Sequence, residues 1–275
     1  MISLDPIISR LPRLQQGEVW LAGAGPGDPA HLTLLTLSGL RQADAVVHDA
    51  LIDPRVLALA HEGAVLIPAG KRGGKPSAMQ ADITAQLIEL ARAGRRVLRL
   101  KGGDPFMFGR GGEEALTLAA HGVMFRIVPG LTSGLASMAA ALIPLTLRGV
   151  NQAVVLVTGH GADRADGMDW AALARLDQPI VLYMAMTNLA AITAALLAGG
   201  LAPDTPAAAI ASATLPTQQV MVATLASLVE TVAQSGIVAP AIVVIGRVVA
   251  SRAQLLALLP ALAATDAATD ASTGG

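Results

Sequence analysis

Two patterns of apolar and polar residues alternate along the chain. Short apolar runs recur from Val19 onward, and between them lie longer stretches whose apolar residues follow helical spacing. Buried strands that alternate with helices are typical of a parallel α/β sheet. The pattern predicts strands at 18–23, 45–48, 64–67, 97–101 and 125–128, and a second series at 153–158, 179–184, 206–211, 217–223 and 240–246.

The clearest helix is predicted to begin at Ser77. Gln80 stands three residues further on and is a capping-box partner for that serine. Ile83 and Leu87 lie on one face of this helix, and Gly94 ends it. Another helix is expected at 133–142.

A long uncharged stretch raises the question of a membrane span. The mean hydropathy is +0.58, and no charged residue lies between Asp177 and Asp204, a stretch long enough to cross a bilayer. Its local pattern instead predicts a strand at 180–184 and an alanine-rich helix at 189–197, with helix-start chemistry at Thr187 and Asn188. We interpret the stretch as buried α/β core, and we expect no membrane partner.

A break after Pro129-Gly130 divides the two series of strands. The predicted fold class is α/β, with two α/β domains, largely parallel or mixed sheets, and the active site in the cleft between them. The expected organisation is an N-terminal extension at 1–16, an N-terminal α/β domain at 17–130, a C-terminal α/β domain at 131–262, and a disordered tail at 263–275.

Composition excludes several classes of function. The net charge of −1 gives no global field that would recruit nucleic acid. The chain has no cysteine, and its five histidines are scattered, so neither thiolate catalysis nor a metal site is predicted. Charged residues interrupt the N-terminus and argue against a signal peptide, so a cytoplasmic location is expected. Eleven of the nineteen Lys and Arg residues fall between Lys71 and Arg148, which indicates an anion site there.

Glycine, proline and charged residues follow the predicted strands of the first series. In open parallel sheets, ligands bind at the carboxyl ends of the strands, which meet at one edge. These segments therefore predict an active site, and they are Gly23–Asp28, His48-Asp49, Gly70–Arg72, Lys101–Asp104 and Pro129–Ser133.

The first of these segments, GAGPGD, invites comparison with a dinucleotide-binding loop. That fingerprint needs a third glycine where this chain has Asp28, and Pro26 removes one N–H donor. An aspartate beside a pyrophosphate would be repulsive, so NAD or FAD is the weaker alternative. A cationic cofactor without phosphate, such as S-adenosylmethionine, suits the loop better.

The fourteen-residue string KGGDPFMFGRGGEE, Lys101–Glu114, is too long for an ordinary β-turn-α connection. Together with GAGPGDPAHLTLLTL, ADAVVHDALI, AGKRGG, VPGLTSG and IPLTLR, in that order, it resembles the uroporphyrinogen branch of the tetrapyrrole methylase family over residues 17–260. The resemblance implies a class III methyltransferase-like fold, a homodimer, and S-adenosylmethionine as cofactor with S-adenosylhomocysteine as product. The implied reaction methylates C2 and C7 of uroporphyrinogen III and gives precorrin-2 via precorrin-1, toward cobalamin, sirohaem or haem d1.

The same resemblance implies the site residues. Asp49 is expected as proton acceptor and Lys71 as proton donor, with Arg110 also catalytic. Because the substrate bears many carboxylates, arginine is the natural anchor, and the expected substrate-binding residues are Arg110, Glu113, Arg148 and Arg72. The expected cofactor-binding residues are Pro26, Gly102, Gly103, Asp104, Met107, Thr132, Ser133, Met184, Ala213 and Ala241. Glu114 is interpreted as a partner of a helix N-terminus.

Four positions depart from the family pattern. Leu147 stands where His is usual, Ala140 and Leu142 where Tyr and Gly are common, and Arg247 where Glu is common. These departures keep two alternatives open: a methyltransferase acting on a later corrin precursor, and a weakly active tetrapyrrole-binding paralogue.

Overall fold

The computed structural model describes residues 5–69, 80–160 and 167–259, and the chain divides between Ser133 and Gly134 into two compact units. Each unit has its own sheet and its own apolar core. The predicted helix start at Ser77 and the predicted tail at 263–275 lie outside the described residues.

The N-terminal unit is built on a parallel sheet with the order β3-β2-β4-β1-β5. Its described strands are β1 Val19–Gly23, β2 Ala45–His48, β3 Val65–Pro68, β4 Val97–Lys101 and β5 Phe125–Val128. Every residue of β1, β2 and β4 is buried, as near-continuous apolar strands in the middle of a parallel sheet should be.

Helices cover both faces of this sheet. The helices of this unit are α1 Asp5–Ile8, which lies against α2, and α2 Leu34–Gln42, α3 Pro54–Leu57, α4 Gln80–Arg92 and α5 Gly111–Ala120. Thr33 begins α2 by accepting the Thr36 N–H at 3.1 Å, and Asp53 begins α3 by accepting the Arg55 N–H at 2.8 Å. Alternate residues of each strand enter different cores: Trp20 packs in one cluster, whereas Leu21 packs with residues of α4 and α5 in another.

The C-terminal unit is built on a mixed sheet with the order β6-β7-β10-β8-β9, in which only the β6–β7 pair is parallel among the described strands. The strands are β6 Val155–Thr158, β7 Ile180–Tyr183, β8 Pro206–Ala211, β9 Gln219–Thr224 and β10 Ala241–Ile245. The helices are α6 Ser133–Ala140, α7 Trp170–Leu176, α8 Leu189–Ala198, α9 Leu228–Ser235 and α10 Ser251–Leu258. Among the described residues, no helix has both the length and the apolar character that crossing a bilayer demands.

The predicted fold class is confirmed: the chain is α/β with one parallel and one mixed sheet, and each predicted strand is present within two residues of its expected ends. One local expectation was wrong. Asn188 does not cap α8 with its side chain, because its Nδ2 donates instead to the carbonyl of Gly159 at 2.8 Å. That carbonyl belongs to the loop after β6, which the local sequence around Asn188 does not reveal.

Candidate functional site

Three loops of the N-terminal unit meet where β1, β4 and β5 end. Gly25 and Gly103 pair through their backbones, with N···O distances of 3.1 and 2.8 Å. A Cβ on Gly23 would lie 2.6 Å from the Gly130 Cα, and closer still to the Gly103 carbonyl oxygen. Only glycine permits this approach, so the three loops predicted to converge are locked together through their backbones.

Asp104 holds this junction from within the loop after β4. Its Oδ1 accepts the Phe106 N–H at 2.8 Å, and its Oδ2 accepts the Gly130 N–H at 2.9 Å. Because both carboxylate oxygens bind backbone amides, Asp104 shapes its own loop and ties it to the loop after β5.

Next to this junction lies an open stretch of backbone at Gly102. Gly102 is exposed, and a Cβ built on it would meet no atom within 4 Å. The Oδ2 of Asp49 is 3.4 Å from its N–H, and Asp104 follows two residues later. An exposed glycine beside the Asp49 carboxylate offers a ligand close approach to backbone and an anionic setting.

This arrangement fits a cationic cofactor and disfavours a pyrophosphate. Asp28 uses its Oδ1 to accept the Ala30 N–H at 2.8 Å, so its carboxylate occupies the start of the short helix Pro29–His31. That is the place where a dinucleotide loop would present free N–H groups to phosphate. The residues therefore suit the sulfonium of S-adenosylmethionine better than NAD or FAD.

A buried ionic cluster lies beneath these loops. Glu114 on α5 has no exposed surface, and its Oε1 accepts from Arg99 Nε at 3.1 Å, from Lys101 Nζ at 3.1 Å and from Gln80 Nε2 at 2.7 Å. The interpretation of Glu114 as a simple helix-terminus partner was therefore incomplete, because burial demands close cationic partners. Lys101 and Glu114 are the first and last residues of the glycine-rich string, so their ion pair closes that loop.

Arg99 connects the cluster to the edge of the sheet. Its Nη2 lies 2.5 Å from Asp49 Oδ1, and its Nη1 donates to the carbonyls of Val47 and Leu100 at 3.4 and 3.3 Å. Burial lowers the pKa of Lys101, as does the neighbouring charge of Arg99, while Glu114 opposes both effects. The sequence motifs assign no role to Arg99 or Lys101, although two charges at alternate positions of a buried strand indicate paired groups.

Arg110 and Glu113 form a separate, exposed ion pair at the start of α5. Arg110 Nη2 lies 2.7 Å from Glu113 Oε2 and Nε lies 3.0 Å from Oε1, which is a bidentate arrangement. This hydrogen bonding raises the pKa of Arg110 and lowers that of Glu113. Arg110 has a left-handed backbone with φ of 59°, an unusual conformation for a non-glycine residue and one frequent at functional sites.

The remaining N-terminal cofactor residues of the prediction lie in the same three loops. Pro26 follows β1, Met107 lies in the loop after β4, and both are half-buried. A Cβ on Gly103 would lie 3.5 Å from the N of Ser133 and 3.6 Å from the Cα of Thr132. The structure thus brings these predicted positions together. Lys71 and Arg72 lie outside the described residues.

The three cofactor positions predicted in the C-terminal unit lie at the same end of the strands of its sheet. Met184 follows β7 and Ala213 follows β8, while Ala241 begins the antiparallel β10 and pairs with Ala211. Met184 is 53% exposed and has a φ of 51°. Left-handed backbone recurs near Ala213 at two further non-glycine residues, Ser212 and Thr214.

The segment that departs from the family pattern is held by Asn151. Its Oδ1 accepts the Leu147 N–H, and its Nδ2 donates to the carbonyls of Leu145 and Ala153, each at 2.9 Å. The Leu147 side chain is 38% exposed, and Arg148 beside it is exposed. The fold of this turn therefore rests on Asn151 and does not require a particular side chain at position 147.

The other departures have local structural settings. Arg247 forms a surface ion pair with Asp177 at 2.8 Å. The Ala140 carbonyl accepts from Gln218 Nε2 at 3.2 Å, and Leu142 has a φ of 55° where glycine is common.

Comparisons with known proteins show the family to which the chain belongs. The family of Tetrapyrrole (Corrin/Porphyrin) Methylases matches residues 18–229. A uroporphyrinogen-III C-methyltransferase from Sinorhizobium sp is 56% identical over 92% of this chain and 91% of its own length. A siroheme synthase from Thiobacillus denitrificans is 44% identical over 92% of this chain but 53% of its own length, so the chain spans about half of that relative.

Solved structures give the same result. A uroporphyrin-III C-methyl transferase from Thermus thermophilus, complexed with S-adenosyl homocysteine, matches with a TM-score of 0.74 and 38% identity over 85% of this chain and 99% of that one. A cobalt precorrin-4 methyltransferase matches with a TM-score of 0.75 and 29% identity over 87% of this chain and 99% of that one.

Proposed function

Since the chain belongs to the tetrapyrrole methylase family, we propose that it methylates C2 and C7 of uroporphyrinogen III and yields precorrin-2 by way of precorrin-1. The protein is an S-adenosylmethionine-dependent methyltransferase. The acceptor and the two positions on it are the part that is proposed.

The observation that carries the proposal is the open backbone at Gly102. Its backbone N lies 3.4 Å from Asp49 Oδ2, and it is next in sequence to Gly103, which is in close backbone contact with Gly23 and Gly130. An exposed backbone beside a carboxylate accommodates a cationic and phosphate-free cofactor. The relative from Sinorhizobium, which matches almost end to end, supports uroporphyrinogen III as the acceptor.

The residues have distinct tasks in this scheme. The bound cofactor supplies an electrophilic methyl group, and an electron-rich pyrrole carbon of the porphyrinogen is the nucleophile. Asp104 and the glycine junction hold the cofactor loops in place. Holding two reactants in a near-attack geometry lowers the barrier by about 7–11 kcal/mol in favourable cases.

Charged side chains complete the reaction and bind the acceptor. Asp49, 35% exposed at its side chain, accepts the proton that leaves the macrocycle after methylation, and Lys71 is the proposed donor. Arg110 and Glu113 are exposed, and Arg110 is the bidentate anchor for a propionate or acetate of the substrate. Arg148 and Arg72 are proposed as further carboxylate partners.

We also propose a homodimer, as the family resemblance implies. The described edge strand β3 exposes Val65 at 56% and Leu66 at 43%, and an exposed apolar edge strand favours association with another chain. Light scattering coupled to size exclusion tests this; a monomer at micromolar concentration would contradict it.

A second candidate is methylation of a later corrin precursor. It is favoured by the likeness to a cobalt precorrin-4 methyltransferase and by Leu147, which stands where the uroporphyrinogen branch usually has His. A weakly active tetrapyrrole-binding paralogue is the remaining alternative, and Leu147 with Ala140 motivates it.

The experiment is anaerobic incubation with S-adenosylmethionine and uroporphyrinogen III, followed by mass spectrometry of the tetrapyrrole. We expect a gain of two methyl groups. No gain, with S-adenosylhomocysteine still bound, would contradict the proposal and favour a later corrin acceptor. If turnover is slow and rises sharply in the Leu147→His/Ala140→Tyr variant, the binding paralogue is the better description.

A further inference from the structure

We infer that Arg99 is a positioning residue that holds Asp49 for proton acceptance, and that Glu114 orients Arg99 from beneath. The inference rests on the proposed function and adds Arg99, a residue that lies outside the quoted sequence motifs. Arg99 lies 2.5 Å from Asp49 Oδ1 through Nη2 and 3.1 Å from Glu114 Oε1 through Nε. One guanidinium therefore contacts both the Asp49 carboxylate, which follows the end of β2, and the buried Glu114 carboxylate.

The surroundings of the guanidinium leave it little freedom. Its side chain is 2% exposed, and Nη1 donates to the backbone carbonyls of Val47 and Leu100. Val47 lies beside Arg99 in the register of β2 and β4. A planar group with donors on both sides that is fixed by backbone and by Glu114 can present its remaining N–H groups to Asp49 in only one orientation.

Asp49 itself is held less tightly by other groups. Its side chain is 35% exposed, and its second oxygen, Oδ2, lies 3.4 Å from the Gly102 N–H. Arg99 is thus the short contact that decides where this carboxylate points. Because Gly102 is the open backbone of the proposed cofactor site, the orientation of Asp49 decides whether it faces the reacting macrocycle.

Stability alone is a weak explanation of this cluster. Taking charges out of water is costly, and well-packed apolar residues often replace a buried ion pair without loss of stability. Here Glu114 is completely buried, and Lys101 lies 3.1 Å from its Oε1. Two cations and two anions balance, and the chain of contacts ends at an accessible carboxylate, where a function can use it.

The test is a double-mutant cycle between Arg99 and Asp49, measured as kcat, KM and the Kd of S-adenosylhomocysteine. In Arg99→Lys the charge stays, but a single ammonium cannot reproduce the fork that joins both carboxylates. General-base assistance contributes about 10²–10⁴-fold, so we expect kcat of Asp49→Asn to fall by at least about 10²-fold and that of Arg99→Lys by roughly 10-fold or more. The Kd of S-adenosylhomocysteine should change less than about twofold.

The decisive result is the double variant. If Arg99 acts through Asp49, adding Arg99→Lys to Asp49→Asn causes no further loss of kcat, because coupled residues are not additive. Multiplied losses would overturn the inference, as would a wild-type kcat in Arg99→Lys. Arg96→Lys is the matched control, since Arg96 pairs with Asp44 elsewhere in the same unit, and it should leave kcat unchanged.

Two further measurements keep the outcome interpretable. If Arg99→Lys does not fold, Glu114→Gln keeps the shape while removing the anchor of Arg99, and it should give the same fall in kcat without a change in KM. Absence of methyl transfer by the wild-type protein would defeat the proposed function and this inference with it. If the wild-type protein is active and the kcat losses of the two single variants multiply in the double variant, the inference alone is defeated.

Discussion

The interlocked glycines at the ends of β1, β4 and β5 predict a large effect of a single methyl group. In Gly130→Ala the new Cβ would lie 2.7 Å from the Gly23 Cα and 3.0 Å from the Gly23 carbonyl carbon, and nearer still to the Gly103 carbonyl oxygen. Ordinary carbon contacts are about 3.5–4.0 Å, so the overlap is on the order of 1 Å against backbone that cannot rotate away. Overpacking of this kind costs about 1–3 kcal/mol of unfolding free energy.

The assay compares urea unfolding and calorimetric binding of S-adenosylhomocysteine. Gly130→Ala should unfold at lower urea. It should also bind more weakly, because the shifted backbone of Gly23 and Gly103 belongs to the proposed cofactor loops; a loss of about 1.4 kcal/mol in binding free energy would be tenfold in Kd. The matched control is Gly112→Ala in α5, where a Cβ would meet nothing within 4 Å. Alanine in a helix is favoured by roughly 0.5–1 kcal/mol, so this control should be as stable as wild type or more so. Equal stability and equal affinity of both variants would refute the reasoning.

Three further perturbations follow from the described contacts. Gly102→Ala places a methyl group on the open backbone, so calorimetry should show weaker S-adenosylhomocysteine binding while the unfolding free energy stays within about 0.5 kcal/mol; undiminished affinity would count against a cofactor there. The Arg96 guanidinium lowers the pKa of Asp44 to about 2. The stabilisation of the folded protein by this ion pair is therefore complete above the ordinary pKa of 3.8 and is lost as pH falls through 2. Asp44→Asn should therefore be less stable than wild type by about 1 kcal/mol at pH 7, after allowance for solvent exposure, and this difference should shrink through pH 2 and vanish only below it; a constant difference would argue otherwise. Tyr183→Phe removes the acceptor of the buried Gly134 N–H at 3.0 Å, which should cost about 1–3 kcal/mol in calorimetric unfolding, and an unchanged transition would show that the contact is unimportant.

The strands could be predicted from sequence because burial on both faces selects continuous apolar runs. β1, with the sequence VWLAG, is such a run, and all five of its residues are buried. The glycines were informative for a similar reason: the close backbone contacts of Gly23 and Gly130 and the positive φ of Gly103 favour glycine, so the requirement is visible in the residue type.

The buried cluster was not predictable in the same way. Arg99 and Lys101 stand at alternate positions of β4, which indicates that they share one face. Their partner Glu114 lies on α5, and its position near the start of that helix led to its interpretation as a partner of the helix N-terminus. The desolvation of a carboxylate outweighs its interaction with a helix end, and only the packing of α5 on the sheet reveals that burial. The antiparallel placement of β10 between β7 and β8 is likewise set by non-local pairing, and short apolar strands do not encode it.

The most direct test of the central claim is the NMR spectrum of the tetrapyrrole formed anaerobically from uroporphyrinogen III and S-adenosylmethionine labelled with ¹³C at its methyl group. The account predicts two labelled methyl resonances, assigned to C2 and C7 of precorrin-2. Labelled methyl groups at other ring positions, or none on the macrocycle despite bound cofactor, would contradict it.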